Sequence, residues 1–434
     1  MHHISTSRRM VLAAVLAAAT ALAACSSSSK STTATTQAAS ATTGAAATTP
    51  TTSALGTPKA APTGTPLKVG YLTDGKTASI DNSTEVPAAQ AAVKYINTYL
   101  GGIGGHPLSL DVCDDQQTPS GATDCGNQFV TNKDPVVLYN VSGQGGSLYK
   151  VLSGAGVAVF AYASIDQSTL QGKASNTFVM TNGLASAFAG PAAVAQQAGI
   201  KHAAEVVTDV PAAADPAKAL DGIVYKNAGI AIDVLTIPVG QADLTPQITA
   251  ELAKNPGQFH VLGDVSLCTA ALKAIKASGF NGKIVLIPQC IDSTSASAIS
   301  GGYAGMIELT ASSNDPTDPD NKIYTAAMKA YGSGTDPFAN GVTQGGFAAV
   351  LGFARAMTGT TGDFSTAGIE ATISSMSPQP MPFGSGVTFQ CNGKQVAITP
   401  PVCSTAVLQT TLDQSGQPTG GYTKVDTSAL LKIG

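Results

Sequence analysis

The 434-residue chain carries 27 acidic against 23 basic residues, a formal net charge of −4 with no basic run, which argues against nucleic acid as a partner. It holds no tryptophan, so an indole platform for stacking sugars is excluded. The length exceeds what one compact core holds and calls for two domains or lobes.

Residues 1–24 read as an export signal. Arg8 and Arg9 form its basic start, and the apolar run that follows over 10–24 is too short to span a bilayer as a stable helix. Its end, Leu22, Ala23, Ala24 and Cys25, resembles the bacterial lipobox, which implies removal of the signal and lipidation of Cys25. Ser7, Arg8, Arg9, Met10, Val11 and Leu12 also resemble a twin-arginine signal, and a plain basic start explains them equally well. Loss of Arg8 and Arg9 leaves Arg355 as the one arginine of the mature chain, so a guanidinium fork for a carboxylate or phosphate is nearly excluded. Residues 25–66 are dominated by Ser, Thr, Ala, Gly and Pro, with Lys30 and Lys59 their only charges. Such a segment buries too little apolar surface to fold and reads as a disordered tether. As a flexible coil it has an end-to-end distance on the order of 35 Å, which suits a domain held off a membrane.

The first lobe, over 67–182, opens with a strand over 67–72. A helix from Glu85 places Val86, Ala89, Val93, Ile96 and Leu100 at three- and four-residue spacing and stops at Gly101 and Gly102. A strand over 108–113 and a helix over 122–131 follow. Val136, Val137, Leu138 and Tyr139 then form a short apolar strand, ending in a hydroxyl- and Gly-rich turn over 140–146. A helix from Ser147 presents Leu148, Val151 and Leu152, and the next strand, over 157–160, ends in Ala161, Tyr162, Ala163 and Ser164. This is the repeat of a parallel sheet with helical crossovers. In such sheets ligands bind at the carboxyl ends of the strands, where both polar turns lie. One more strand, over 177–180, precedes a crossover.

The second lobe, over 183–307, alternates cleanly. Its helices fall over 185–198, 217–227, 245–254 and 268–278, and its strands over 203–207, 231–237, 259–262 and 284–287. The strand Ile307–Thr310 is expected to carry the chain back to the first lobe, where residues 308–403 include a helix with Phe347, Val350, Leu351, Ala354 and Met357 on its core face. Residues after Met376 read as strands and turns, and residues 404–434 return to the second lobe.

Seven cysteines are Cys25 plus six, an even number that suits an oxidising compartment. Six allow fifteen pairings. Spacing groups them as Cys113 with Cys125, Cys268 with Cys290 and Cys391 with Cys403, each bridge worth about 3 kcal/mol in the chain-entropy model. His106, His202 and His260 supply no short metal-ligand spacing, so neither a metal nor a cofactor is expected. Gly70, Gly75, Lys76 and Thr77 fit the phosphate-loop pattern G-x-x-x-x-G-K-T. Gly70 falls inside a strand, however, and residues 78–83 make a poor helix, so the pattern lacks the helix N-terminus that would cradle phosphate. Ser142 is not in a G-x-S-x-G elbow, and no catalytic residue is assigned.

The stretch over 134–165 resembles the ligand cradle of type I periplasmic binding proteins, the leucine/isoleucine/valine-binding family that feeds ABC importers. Members pair a Ser-containing turn with an Ala-Ser/Thr turn after the next strand to hold the ligand carboxylate. Here Ser142, Gly143 and Gln144 stand in the first turn, and Ala163 and Ser164 in the second. Ala91, Val93, Lys94, Tyr95, Ile96 and Asn97, with the glycine-rich exit ending in His106 and Pro107, resemble the family's first helix. Val112, Cys113, Asp114, Asp115 and Gln116 resemble the end of its second strand. The resemblance implies an α/β fold of two Rossmann-like, doubly wound lobes joined by a multi-strand hinge. It also implies a small polar ligand in the cleft (amino-acid-like, or another small carboxylate or amide), an ABC permease as partner, and a monomeric extracytoplasmic lipoprotein on the cell membrane.

One departure bears on the ligand. Members place an acidic residue after the strand equivalent to 284–287 to pair with the ligand's ammonium, and this chain has Gln289. Asp209, Asp264 and Asp292 either offer carboxylates to the cleft or cap the helices that follow. The Ser142 hydroxyl either touches the ligand or satisfies its own turn. Two functions stay open: solute delivery to a permease, and sensing or envelope interaction on the same fold.

Overall fold

The computed structural model describes residues 54–77, 81–292, 294–338, 341–360 and 362–432. The export signal, Cys25 and most of the tether lie outside the described residues. The packed body begins earlier than composition suggests. Leu55 is buried in the first core, and the Lys59 and Gly64 amides donate to the carbonyls of Thr98 at 2.8 Å and Gly105 at 3.0 Å.

The first sheet begins with β1 (Leu67–Thr73), buried along nearly its whole length because it has a parallel neighbour on each side. Gly70 within it is required by packing: a Cβ there would lie 2.8 Å from the Phe129 ring. α1 (Glu85–Tyr95) continues as a π-turn over Ile96–Leu100 and ends at Gly101, whose φ of 78° favours glycine. Then come β2 (Leu108–Asp114), α2 (Pro119–Thr131), β3 (Val136–Tyr139), α3 (Gly145–Ala155), β4 (Ala158–Ala161), α4 (Gln167–Leu170) and β5 (Thr177–Val179). α2 starts where its sequence says it should, with the Thr118 hydroxyl accepting from the Gly121 amide and Pro119 in the first turn. The strand order is β2-β1-β3-β4-β5, all parallel. Among the described residues no helix follows Lys76 until Glu85, so the phosphate-loop pattern is a coincidence of composition.

A π-turn over Ala185–Ala189 leads into α5 (Gly190–Gln197) and the second sheet. This is built from β6 (His202–Thr208), α6 (Pro211–Ala228), β7 (Ala231–Ile237), α7 (Thr245–Leu252), β8 (Gln258–Leu262), α8 (Val265–Ala277), β9 (Lys283–Leu286) and β10 (Ile307–Thr310). β10 pairs parallel with β9 and so belongs to this sheet; the return to the first lobe comes after it. There α9 (Pro319–Tyr331) and α10 (Gly341–Ala356) pack on α1, followed by α11 (Thr366–Ser374) and the small ribbon of β11 (Gln379–Pro380) and β12 (Thr388–Phe389). β13 (Ala406–Thr411) and β14 (Thr423–Asp426) then add antiparallel to β10, giving the order β14-β13-β10-β9-β8-β6-β7. The chain thus passes three times between two doubly wound sheets, which is the architecture of two lobes on a multi-strand hinge.

The buried apolar residues form three clusters, one of which contains strands of both sheets. Tyr71, Phe160, Phe347 and Phe353 fill the space between the first sheet and α1 and α10. Bridges join Cys113 to Cys125, Cys268 to Cys290 and Cys391 to Cys403, with Cα separations of 5.5, 5.2 and 4.4 Å, all within disulfide range. The first ties β2 to α2 and the second ties α8 to the turn after β9. Among the described residues no helix is long and apolar enough to cross a membrane.

Candidate functional site

In an open parallel sheet the crevice opens outside the carboxyl ends of the strands, where the strand order reverses. In the first sheet that point lies between β1 and β3, and in the second between β6 and β8. The loops that meet there carry Thr73, Asp74 and Ser142 on one lobe and Asp209 and Asp264 on the other.

On the first lobe the Ser142 side chain is only 3% exposed. Its hydroxyl donates to Asp115 Oδ2 at 3.1 Å and accepts from the Gln144 amide at 2.9 Å, so both its directions are in use. Asp115, which follows β2, is fully buried and accepts from the Gln117 amide at 2.7 Å. Gln117 Nε2 reaches Asp74 Oδ2 at 3.5 Å, while among the described residues Asp74 Oδ1 has no hydrogen-bond partner. Burial raises the Asp115 carboxyl to about 6; the neighbouring Asp74 adds to the rise, and the Gln117 and Ser142 hydrogen bonds oppose it. Glu85, at the start of α1, is raised to about 8 by burial, against hydrogen bonds donated by the Tyr71 and Thr73 hydroxyls, both at 2.9 Å.

The second turn repeats the arrangement. Ser164 donates to Asp166 Oδ2 at 3.3 Å and accepts from the Asp166 amide. Asp166 caps α4 by accepting from the Ser168 and Thr169 amides at 3.1 and 3.3 Å. Its carboxylate also lies against the start of α3, where Cβ atoms on Gly145 and Gly146 would fall 3.2 and 2.8 Å from its oxygens. Gly143 is exposed with open space around it, Gln144 Nε2 donates to the Gln117 carbonyl at 3.3 Å, and the Ala163 amide continues the ladder to Asn140 O at 2.8 Å.

On the second lobe Asp209 is exposed at the end of β6, its amide bonded to Ile237 O at 2.7 Å. Asp264 caps α8, accepting from the Leu267 amide at 2.9 Å, and lines a pocket of about 20 Å³ with Thr208, Val239 and Ser266. Gln289 is exposed in a one-turn helix over Pro288–Cys290, and Asp292 accepts from the Ser295 amide at 2.9 Å. Neither Gln289 nor Asp209 lines that pocket.

Two further groupings lie away from the crevice. A wider pocket of about 440 Å³, with Lys68, His106 and Asp134 on its walls, sits at the amino ends of β1 and β3, the end of a parallel sheet where ligands do not collect. His202, Asp233 and Glu251 converge with their ligand atoms within 4.8 Å of one another, a grouping no sequence spacing shows because β6, β7 and α7 each give one. Lys254 Nζ is 2.9 Å from Glu251 and 3.4 Å from Asp233, so an ammonium already neutralises these carboxylates.

The profile described as periplasmic binding protein matches residues 66–401. The chain belongs to that family. Its fold is similar to that of a Brucella ovis leucine-, isoleucine-, valine-, threonine- and alanine-binding protein in a closed conformation, with 14% identity over 85% of this chain and 97% of that one and a TM-score of 0.67. A branched-chain amino acid transporter substrate-binding protein from Streptococcus pneumoniae, in complex with isoleucine, gives 16% identity over 83% and 99% and a TM-score of 0.61. A solute-binding protein from R. palustris in complex with 4-hydroxybenzoate gives 14% identity over 83% and 96% and a TM-score of 0.61. At such identities the likeness is one of fold. Among curated proteins none matches the chain.

Proposed function

We propose that this family member is the solute-binding lipoprotein of an ABC importer, anchored outside the cytoplasm through Cys25 and taking a small polar solute between its lobes. The observation that carries the reading is the pair of switch points, β1/β3 and β6/β8, each ringed by short polar turns. Three chain crossings between the sheets suit a hinge, and ligand held by both lobes biases such a hinge toward its closed state. The groups with solvent access available to a solute are the exposed Gly143 backbone and the half-buried Gln144, Ala163 and Asp166 on the first lobe, and the exposed Asp209, Asp264 and Gln289 on the second.

The test is a thermal-shift screen of the processed chain against a metabolite library. A cleft ligand present at 100 times its Kd stabilises the fold by about 2.7 kcal/mol, enough to move the melting temperature measurably. A hit whose shift vanishes on substitution of both Asp166 and Asp264 supports the reading; a hit that survives both places the ligand elsewhere.

A further inference from the structure

The two serines that the family resemblance assigns to a ligand carboxylate each donate instead to a carboxylate of this chain, Ser142 to Asp115 and Ser164 to Asp166. The start of α3, whose backbone N–H groups would favour an anion, is faced by the Asp166 carboxylate at Gly145 and Gly146. Each place on this wall that would take a ligand anion therefore already holds an intramolecular one. In the loops that follow β1–β4 and β6–β9, every charged residue except Lys76 is an aspartate, and Lys76 is ion-paired with Asp81. Asp74, 94% buried by its 6% exposure, keeps an oxygen without a partner among the described residues. The loops at the carboxyl ends of both sheets thus carry one sign of charge, which raises the local concentration of cations and repels carboxylates. The loops after β4 and β7 and the first residue of α8 also expose Ile165, Val239 and Val265 at 74, 71 and 40%, apolar side chains at the same ends of the sheets.

We infer that the solute is an organic cation, an ammonium or guanidinium head on an apolar body, whose charged end is received on the first lobe by Asp166. The inference rests on the solute-binding reading above and names the chemical class that reading leaves open. Asp166 is the group in reach: it is half-buried, whereas Asp115 is sealed beneath Ser142 and sets the direction of that hydroxyl. With its proton held by Asp115 and one lone pair taken by the Gln144 amide, Ser142 has no donor left for a carboxylate.

The experiment is calorimetry of the processed chain against panels of matched skeletons: amines and guanidines, carboxylates, and zwitterions, with isoamylamine, isocaproate and leucine as one trio. The tightest binder should come from the first panel, and its affinity should fall as salt is raised. Asp166→Asn keeps a good cap for α4, so the fold survives. It should weaken that binder at least about 10-fold, since a hydrogen bond to a charged group is worth about 1.5–3 kcal/mol, and should improve binding within the carboxylate panel. The gain for carboxylates is a readout that loss of a turn would not produce. A carboxylate or zwitterion as the tightest binder, or an amine indifferent to Asp166→Asn, overturns the assignment while leaving solute binding intact. No binding from any panel overturns both.

Discussion

Glu205→Gln should make the protein more stable at neutral pH than at acid pH relative to the unaltered chain. Glu205 on β6 faces His260 on β8 directly across the parallel ladder, with His260 Nδ1 3.2 Å from Glu205 Oε2. Asp221 and Tyr225, one turn apart on α6, and Gln258 on β8 close the chamber, and all five side chains are fully buried. Among the described residues no lysine or arginine acts on these carboxyls. Burial therefore raises Glu205 from 4.5 to about 7, and burial together with the Glu205 charge raises Asp221 to about 10. Burial lowers His260 to about 4, with Asp221 acting against it. The folded chain keeps the Glu205 proton between pH 4.5 and about 7, where the unfolded chain has lost it. Stability contributed by this group is thus complete below pH 4.5 and is lost as pH rises to about 7. At 1.36 kcal/mol per unit that loss is about 3 kcal/mol. Glutamine does not titrate, and without the Glu205 charge Asp221 is also less strongly raised. The difference in unfolding free energy, variant minus unaltered chain, should grow by about 3 kcal/mol between acid and neutral pH. Urea unfolding followed by circular dichroism across that range measures it. Parallel stability curves for the two proteins would refute the argument.

Three other outcomes are expected. Arg355→Met should destabilise the first lobe by about 3 kcal/mol in urea unfolding, because it strips Asp320 of a two-pronged pair at 2.8 and 2.6 Å and leaves that carboxylate, among the described residues, only the Phe383 amide at 3.0 Å. Gly346→Ala should cost about 1–3 kcal/mol by the same assay, since its Cβ would stand 2.5 Å from the Glu85 carbonyl where α10 crosses α1; an unchanged midpoint would show that the two helices part freely. Cys25→Ala should move the protein from the membrane to the soluble fraction, and unchanged fractionation would count against the lipid anchor.

The sequence by itself determined the local elements and their alternation. Val136 to Tyr139 is a short apolar run, and the β6 to β9 strands are short, mostly apolar segments separated by helical stripes; both signals are carried by near neighbours in the chain. The three cysteine pairs are also close in sequence, 12, 22 and 12 residues apart, and the structure joins those same pairs. α9 was harder to see, for its buried apolar residues are only Tyr324, Ala327 and Met328. β10 alternates Ile307 and Leu309 with Glu308 and Thr310, a pattern that fits either sheet, and only its pairing with β9 and β13 assigns it. The same limit governs the site. Ser142 and Asp115 are 27 residues apart on different strands, and their meeting depends on the order β2-β1-β3 and its register. Asp166 reads as an ordinary helix cap; its approach to Gly145 and Gly146 follows from the β3–β4 pairing that sets α4 beside α3. Periodicity reports which residues are buried because burial acts on each side chain separately. Which polar groups neutralise one another is a property of pairs, and the packing of the sheets decides it.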